Sequence, residues 1–349
     1  MNRVRIVLRI GIRALTLSAL LWNSTPGKAQ SSQSRGTAAE AVRAFVTNFG
    51  GTDVSVIDPE RRRLIANIKT GSQPHGVAIA PDGSAVYVSN EGDGTLSFID
   101  PAKNEVVATI PVGKSPNQLE VSADGKYVFV TLNGADSLAV VDAATRKIIK
   151  TVPVGRAPHI ALRSRDGKFI YVTLEGDMKA VLVDASTFDV MGSIPMLAWP
   201  RIPALTRDGK RIFQTIRWLN GALVVDLAKK QVVDRIALGE PKFAEEGKDA
   251  HGLAVTPDGT QLWLTTQTTN DVTVIDTNDL KIIGRVFVGR DPNWIAFTPD
   301  GALAVVSNTG TGDASIIDVQ QRKVVATVKV GASPKRLAVG NVVIKNERK

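Results

Sequence analysis

Three residue patterns recur along this chain at one shared spacing, and such a period constrains the fold more than any other feature. An Asp closes a strand-like run at Asp58, Asp100, Asp142, Asp184, Asp226, Asp276 and Asp318, at intervals of 42, 42, 42, 42, 50 and 42. A bulky apolar residue opens a run ending in Thr or Ser at Phe45, Tyr87, Phe129, Tyr171, Phe213, Trp263 and Val305, with identical intervals. Asp-Gly pairs begin at Asp82, Asp124, Asp166, Asp208, Asp258 and Asp300. Three registers that share one eight-residue insertion define seven repeats.

Each repeat holds four strand-like runs. In the second they are HGVAIA, AVYVSN, TLSFID and EVVATIPV, separated by PDGS, EGDG and PAKN. Val, Ile, Thr and aromatic residues punctuated by turn formers predict strands throughout. Asp-Gly suits the tight turn between the first two runs. The Asp ending the third run can open an Asx-turn. Runs such as EVVATI are apolar on successive residues, as in a sheet packed on both faces. Seven four-stranded units predict an all-β, seven-bladed β-propeller. The chain begins with three strands of a blade and ends on KRLAVG, which matches a first strand, so the C-terminal strand is expected to complete the first blade. A length of 349 residues alone suggests two domains at roughly 100–200 residues each; the repeat makes residues 42–344 one ring.

FVTN at 45–48 and YVSN at 87–90, within a frame of PDG, Asp and VGxxP, resemble the YVTN family of β-propeller repeats across roughly residues 42–340. Leu132, Leu174, Ile216 and Thr266 replace the final Asn of that signature. The resemblance implies an exported propeller that serves as a binding module or partner subunit. Propellers similar to that family include lactonases, an antibiotic-opening lyase and supporting subunits of quinone-cofactor amine dehydrogenases. Fold alone does not select among these.

Residues 1–29 read as a secretory signal peptide: Arg3, Arg5, Arg9 and Arg13 precede the apolar run 14–22, and Gly27 and Ala29 flank a cleavage site before Gln30. The apolar run is shorter than the roughly 20 residues that span a bilayer. Residues 30–41 are expected to be a flexible lead-in and 345–349 a basic tail. A periplasmic or secreted protein without a transmembrane segment follows. Zero Cys excludes a disulfide scaffold, a thiol nucleophile and cysteine-ligated metal.

All three His fall at one repeat position, where the chain enters the inner strand: His75, His159 and His251, in blades two, four and six. The other blades carry Asn117, Arg201, Asn293 and Lys335 there. This ring is the candidate ligand-binding mouth of the central channel. Imidazoles suit metals or proton transfer, and Arg201 and Lys335 suit carboxylate or phosphate. Equally, such a junction favours polar residues for structural reasons. The ring itself offers no carboxylate, so no metal site is assigned, and the sequence requires no cofactor. Glu91, Glu175, Arg217 and Trp218 should reach the same mouth from loops after second strands. The insertion, with Lys242, Glu245, Glu246, Lys248 and Asp249, is a candidate lid or partner contact with Trp218.

The opposite face collects basic turns, including Arg61, Arg62, Arg63, Lys126, Lys168 and Lys281. The formal charge of +9 includes five Lys and Arg before residue 30, so the mature chain carries 38 against 34, or +4. Few aromatics interleave with these charges, which argues against nucleic acid. There is no GxSxG, Walker, HExxH or dinucleotide fingerprint. The first reading is a non-catalytic, monomeric binding module for a protein partner or small ligand. The alternative is an enzyme or cofactor-handling subunit that uses the His, Arg and Lys ring. Polyanion binding by the basic face is the weakest.

Overall fold

The computed structural model describes residues 39–217, 219–238 and 250–344. Among these, 28 strands form seven four-stranded antiparallel sheets, with one 3-10 turn at Asn133–Ala135. Blade one joins Ala39–Asn48, Asp53–Asp58 and Arg63–Lys69 to the last strand, Pro334–Ile344. Pairing there runs from Ala39 opposite Ile344 to Val46 opposite Leu337, so the C-terminal strand closes the ring. The sheet starts at Ala39, three residues before the expected boundary, because residues 39–41 pair with 342–344. The signal peptide, the rest of the lead-in, Trp218, most of the insertion (Lys242, Glu245, Glu246, Lys248 and Asp249 among it) and the tail lie outside the described residues.

The inner strands of blades two to seven are Pro74–Ile79, Pro116–Val121, Pro158–Arg163, Pro200–Leu205, Ala250–Val255 and Pro292–Phe297. Middle strands are buried on both faces; Tyr127–Leu132 is buried at every position after Tyr127, and Ser137–Asp142 at every position but its two ends. Outer strands are the most exposed, and Glu105–Pro111 alternates strictly between exposed and half-buried positions, as a strand with one face toward a neighbour does. Adjacent blades share cores: Phe45, Val54 and Val56 pack with Val77, Val86 and Val88. Each fully buried side chain of this size contributes about 1.5–3 kcal/mol. The blades are therefore held together by apolar contact rather than by backbone pairing.

Turn chemistry follows the repeated Asp residues. Asp184 accepts the Ser186 and Thr187 N–H groups at 2.8 and 2.9 Å, and Asp142 accepts that of Thr145 at 2.7 Å. In the Asp-Gly turns, Asp124 accepts the Ser122 hydroxyl at 2.7 Å and the Lys126 N–H at 3.1 Å. Those bonds, the Ser122 hydroxyl foremost, hold the Asp124 carboxyl down at about 2. Gly125 takes φ 75° there, a conformation that costs a residue without Cβ nothing. Both roles read from the sequence are structural.

Candidate functional site

The Thr or Ser of the repeated second-strand motif builds the channel mouth. Its hydroxyl donates to the carbonyl of the ring residue in the next blade: Thr47 to His75 (2.9 Å), Thr131 to His159 (3.0 Å), Thr173 to Arg201 (3.3 Å), Thr215 to His251 (2.9 Å) and Ser307 to Lys335 (2.6 Å). Ser89 makes the same bond to Asn117, and Thr265 a longer one to Asn293 at 3.5 Å. In the blades other than the third, the same hydroxyl accepts the N–H of the residue after the ring position in its own blade, as Thr173 does from Ile160 at 3.0 Å. A repeated hydroxyl thus pins all seven ring residues. What varies is only the side chain each one presents.

These side chains form one charged cluster. His75, His159, His251, Asn117 and Asn293 are buried. The His75 and His159 rings lie 6.4 Å apart, centroid to centroid. Glu91 brings Oε2 to 3.1 Å from His75 Nδ1, without hydrogen-bond alignment. Glu175 brings Oε1 to 3.7 Å from His159 Nδ1 and 3.6 Å from Arg201 Nε. The carboxylates absent from the ring therefore arrive from the second-strand loops. Phe49, in the equivalent loop of blade one, sits 5.3 Å from the His75 ring and takes the Lys335 ammonium 3.5 Å over its face.

The residue that organises the mouth is one that the ring position does not contain. Arg336 follows Lys335 on the closing strand and is 1% exposed. Its Nη2 donates to His159 Nε2 at 3.0 Å, three blades away, and its Nη1 donates to Asn293 Oδ1 at 3.4 Å. Its guanidinium stacks 4.4 Å from the Trp294 ring. The corresponding positions elsewhere are Gly76, Gln118, Ile160, Ile202, Gly252 and Trp294. A lone Arg in that series was the available signal, and a search confined to the His register passes over it.

Arg336 also assigns protons. A guanidinium only donates, so His159 Nε2 is the acceptor and its proton sits on Nδ1, toward Glu175. His251 Nδ1 lies 2.9 Å from the Asn293 carbonyl and must donate to it. His75 keeps both ring nitrogens buried without a hydrogen-bond partner. Burial first, and then the nearby cations, hold all three imidazoles well below their ordinary value. At neutral pH they are uncharged, so the contacts to Glu91 and Glu175 are carboxylate–imidazole pairs rather than ion pairs. Burial raises both carboxyls. Burial and Arg336 depress the Lys335 amine to about 8.

Among the described residues, no group of three or more His, Asp or Glu is placed to hold one metal ion. Below the mouth, the next channel-facing register reads Ala78, Glu120, Leu162, Ala204, Ala254, Ala296 and Ala338. A cavity of about 370 Å³ opens there, bordered by Glu120, Arg163, Leu205 and Val255. On the turn face, basic residues pair with the acids of their own turns: Lys126 with Asp124 at 3.0 Å, Lys168 with Asp166 at 3.6 Å and Lys281 with Asp279 at 3.0 Å.

A family model for the cytochrome D1 heme domain matches residues 43–157, a third of the chain and too little to place the protein in that family. A comparison with curated proteins finds no match. Among solved structures, hydrazine synthase of Kuenenia stuttgartiensis superposes with a TM-score of 0.70 at 21% identity, covering 78% of this chain and 91% of that one. The periplasmic gluconolactonase PpgL of Pseudomonas aeruginosa gives 0.71 at 19%, covering 86% and 99%. The dihydro-heme d1 dehydrogenase NirN, solved in complex with DHE, gives 0.64 at 19%, covering 85% and 74%. At these identities the likenesses show the propeller fold alone.

Proposed function

We propose that this protein is a cofactor-handling or enzymatic propeller whose channel mouth receives an acidic organic ligand, a carboxylated macrocycle of the haem d1 class being the first candidate. The observation that carries the reading is Arg336, a buried guanidinium with no carboxylate in ion-pair range among the described residues. Glu175 and Glu91 act on this cation only from beyond ion-pair distance, burying a cation without a close partner is costly, and an anionic ligand at the mouth offsets that cost. Lys335 and Arg201 add charge at the same rim. The sequence match to a heme d1 domain supports this reading over a non-catalytic module. It spans Phe49, His75, Glu91 and Asn117.

The donor set fits such a group. His75 has an unpartnered buried imidazole, neutral and able to offer a lone pair, while Arg336 and Lys335 suit acid substituents. When bound, an iron macrocycle would supply redox chemistry that this chain's own residues lack. The chain's own part is to grip the acid groups, present an imidazole and keep water out. Export is part of the reading: residues 1–29 have signal-peptide character, and among the described residues no helix is long and apolar enough to cross a membrane. The test is an absorption titration of the mature chain with haemin. Binding with a shifted Soret band, lost in Arg336→Met, is expected. An unperturbed spectrum overturns the macrocycle.

A second reading, lactone hydrolysis, is favoured by the pairing of Glu91 with His75 and by the fold shared with a gluconolactonase. Here His75 Nε2 takes a proton from water as the water oxygen bonds to the lactone carbonyl carbon. The ring C–O bond then breaks, and the released alkoxide takes the proton. Proton release from gluconolactone, abolished by His75→Gln and reduced by Glu91→Gln, is its signature; wild-type release no faster than the uncatalysed rate removes it.

A further inference from the structure

Two large apolar residues stand where the repeat uses small or polar ones, on loops joined by a backbone hydrogen bond. The connection into an inner strand carries Gly71, Gly113, Gly155, Gly289 and Gly331 at one register, but Leu197 at the entry to blade five. The loop after each second strand carries Thr52, Gly94, Asp136, Asn220, Asn270 and Gly312 at another register, but Met178 in blade four. Met178 adopts φ 51°, as Asp136 and Asn270 do at 53° and 55°. A left-handed backbone is unfavourable for a long side chain and favours Gly, Asn or Asp. The Met196 N–H donates to the Met178 carbonyl at 2.9 Å, which brings the segments that carry Leu197 and Met178 together.

Core packing does not account for either residue. Leu197 is 77% exposed and Met178 47%. Two residues after Leu197, Trp199 is half-buried, with the Arg217 guanidinium 4.7 Å over its ring. This apolar lip borders the charged mouth. Glu175, three residues before Met178 in the same loop, contacts His159 and Arg201, and Arg201 is two residues beyond Trp199. Apolar surface that adjoins a few convergent polar groups is the composition of a small-molecule site.

We infer that the lip formed by Met178, Leu197 and Trp199 is the apolar half of the ligand site. On this basis the mouth selects amphiphilic acids, with a flat apolar body and pendant carboxylates, over small polar acids. The inference rests on the mouth being a ligand site, as proposed above. The cations hold the acid groups, and the lip covers the apolar body that would otherwise face water.

The test uses the mature chain, iron-free protoporphyrin IX and gluconate as probes, and two variants, Met178→Gly/Leu197→Gly and Arg336→Met. Glycine at 178 suits the left-handed backbone, and glycine at 197 restores the residue other blades use, so folding should be preserved. The double variant should lower protoporphyrin affinity about tenfold or more, given two apolar side chains removed, and leave gluconate binding as in wild type. Unchanged protoporphyrin affinity in the double variant, with loss in Arg336→Met, overturns the lip and leaves the mouth standing. Loss in the double variant with none in Arg336→Met overturns the mouth reading instead. Equal loss of both probes in the double variant also overturns the inference.

Discussion

Blade one buries two arginines toward opposite faces of the ring, and they are held in different ways. Arg43, toward the turn face, bonds the Asp58 carboxylate at 3.0 Å, and Asp58 in turn accepts the Arg61 N–H at 2.8 Å. Arg336, at the mouth, has an imidazole, an amide oxygen and an indole face, but no carboxylate in range among the described residues. The first is a completed structural pair. The second is a charge whose nearest carboxylates, Glu175 and Glu91, act on it only from beyond ion-pair distance. Across the molecule the same contrast holds: the turn face repeats self-satisfied Asp turns, whereas the mouth gathers side chains that break the repeat.

The sharpest way to break this comparison is to remove one partner at each end. Asp58→Ala leaves Arg43 buried and unpaired, and should cost about 3–5 kcal/mol of stability without changing ligand binding. Arg336→Met removes a buried charge that has no ion pair, so stability should hold or rise, while affinity for an acidic ligand falls about a hundredfold or more, the loss expected for a charge-assisted contact in a dry site. Calorimetric unfolding and binding titration on both variants decide it. If Arg336→Met unfolds the protein while Asp58→Ala does not, the two arginines have been assigned the wrong way round.

The mouth should also set the acid limit of stability. The three imidazoles are neutral when folded and ionise near 6.5 when unfolded, so below that value the unfolded state binds more protons. Stability should therefore fall as pH drops through about 6.5, by up to a factor of ten in the folding constant per pH unit for each imidazole. The raised carboxyls of Glu91 and Glu175 act in the opposite sense, because the folded state takes up their protons first on acidification. Denaturant midpoints between pH 7 and 5 should decline in wild type and flatten in His75→Gln/His159→Gln/His251→Gln. Parallel slopes would mean that the imidazoles are not buried as neutral groups.

A smaller effect probes the link between scaffold and site. Thr131 bridges blades three and four, its single hydroxyl proton shared between the His159 carbonyl at 3.0 Å and the Gln118 carbonyl at 2.8 Å. Thr131→Val keeps the shape and strands those carbonyls, so a loss of about 1–2 kcal/mol is expected. The His159 imidazole resonance should shift with it, whereas the resonance of His251, pinned by Thr215, should not.

How far the sequence carries depends on whether a residue obeys the repeat. Asp142, Asp184 and the Asp-Gly pairs recur because every blade needs the same turn, and their roles follow from spacing and residue type alone. The ring at His75, His159 and His251 was legible as a position, since a recurring register lands at the same height in every blade. Its chemistry was not. The Arg336–His159 contact joins residues 177 positions apart and exists only once the ring closes. The pairing of Glu91 with His75 required a loop geometry that strand periodicity does not encode. Met178 and Leu197 were visible as departures from the repeat, but the meeting of their segments depends on the backbone bond between Met196 and Met178.

The smallest effect expected is on the turn face, where net charge invites a polyanion. Lys126, Lys168 and Lys281 each sit within 3.0–3.6 Å of an acid in their own turn. Exposed pairs of this kind contribute little to stability, but the neighbouring carboxylate cancels much of each lysine's field at the range of a phosphate backbone. Replacing all three with Gln should change DNA affinity by less than about twofold at 0.15 M salt, where screening acts beyond about 8 Å. A wild type whose DNA affinity falls steeply with salt, and whose slope drops by about one unit for each lysine removed, would show that the turn face presents its charge to solution. The mouth would then be one of two anion sites rather than the place where unbalanced charge is concentrated.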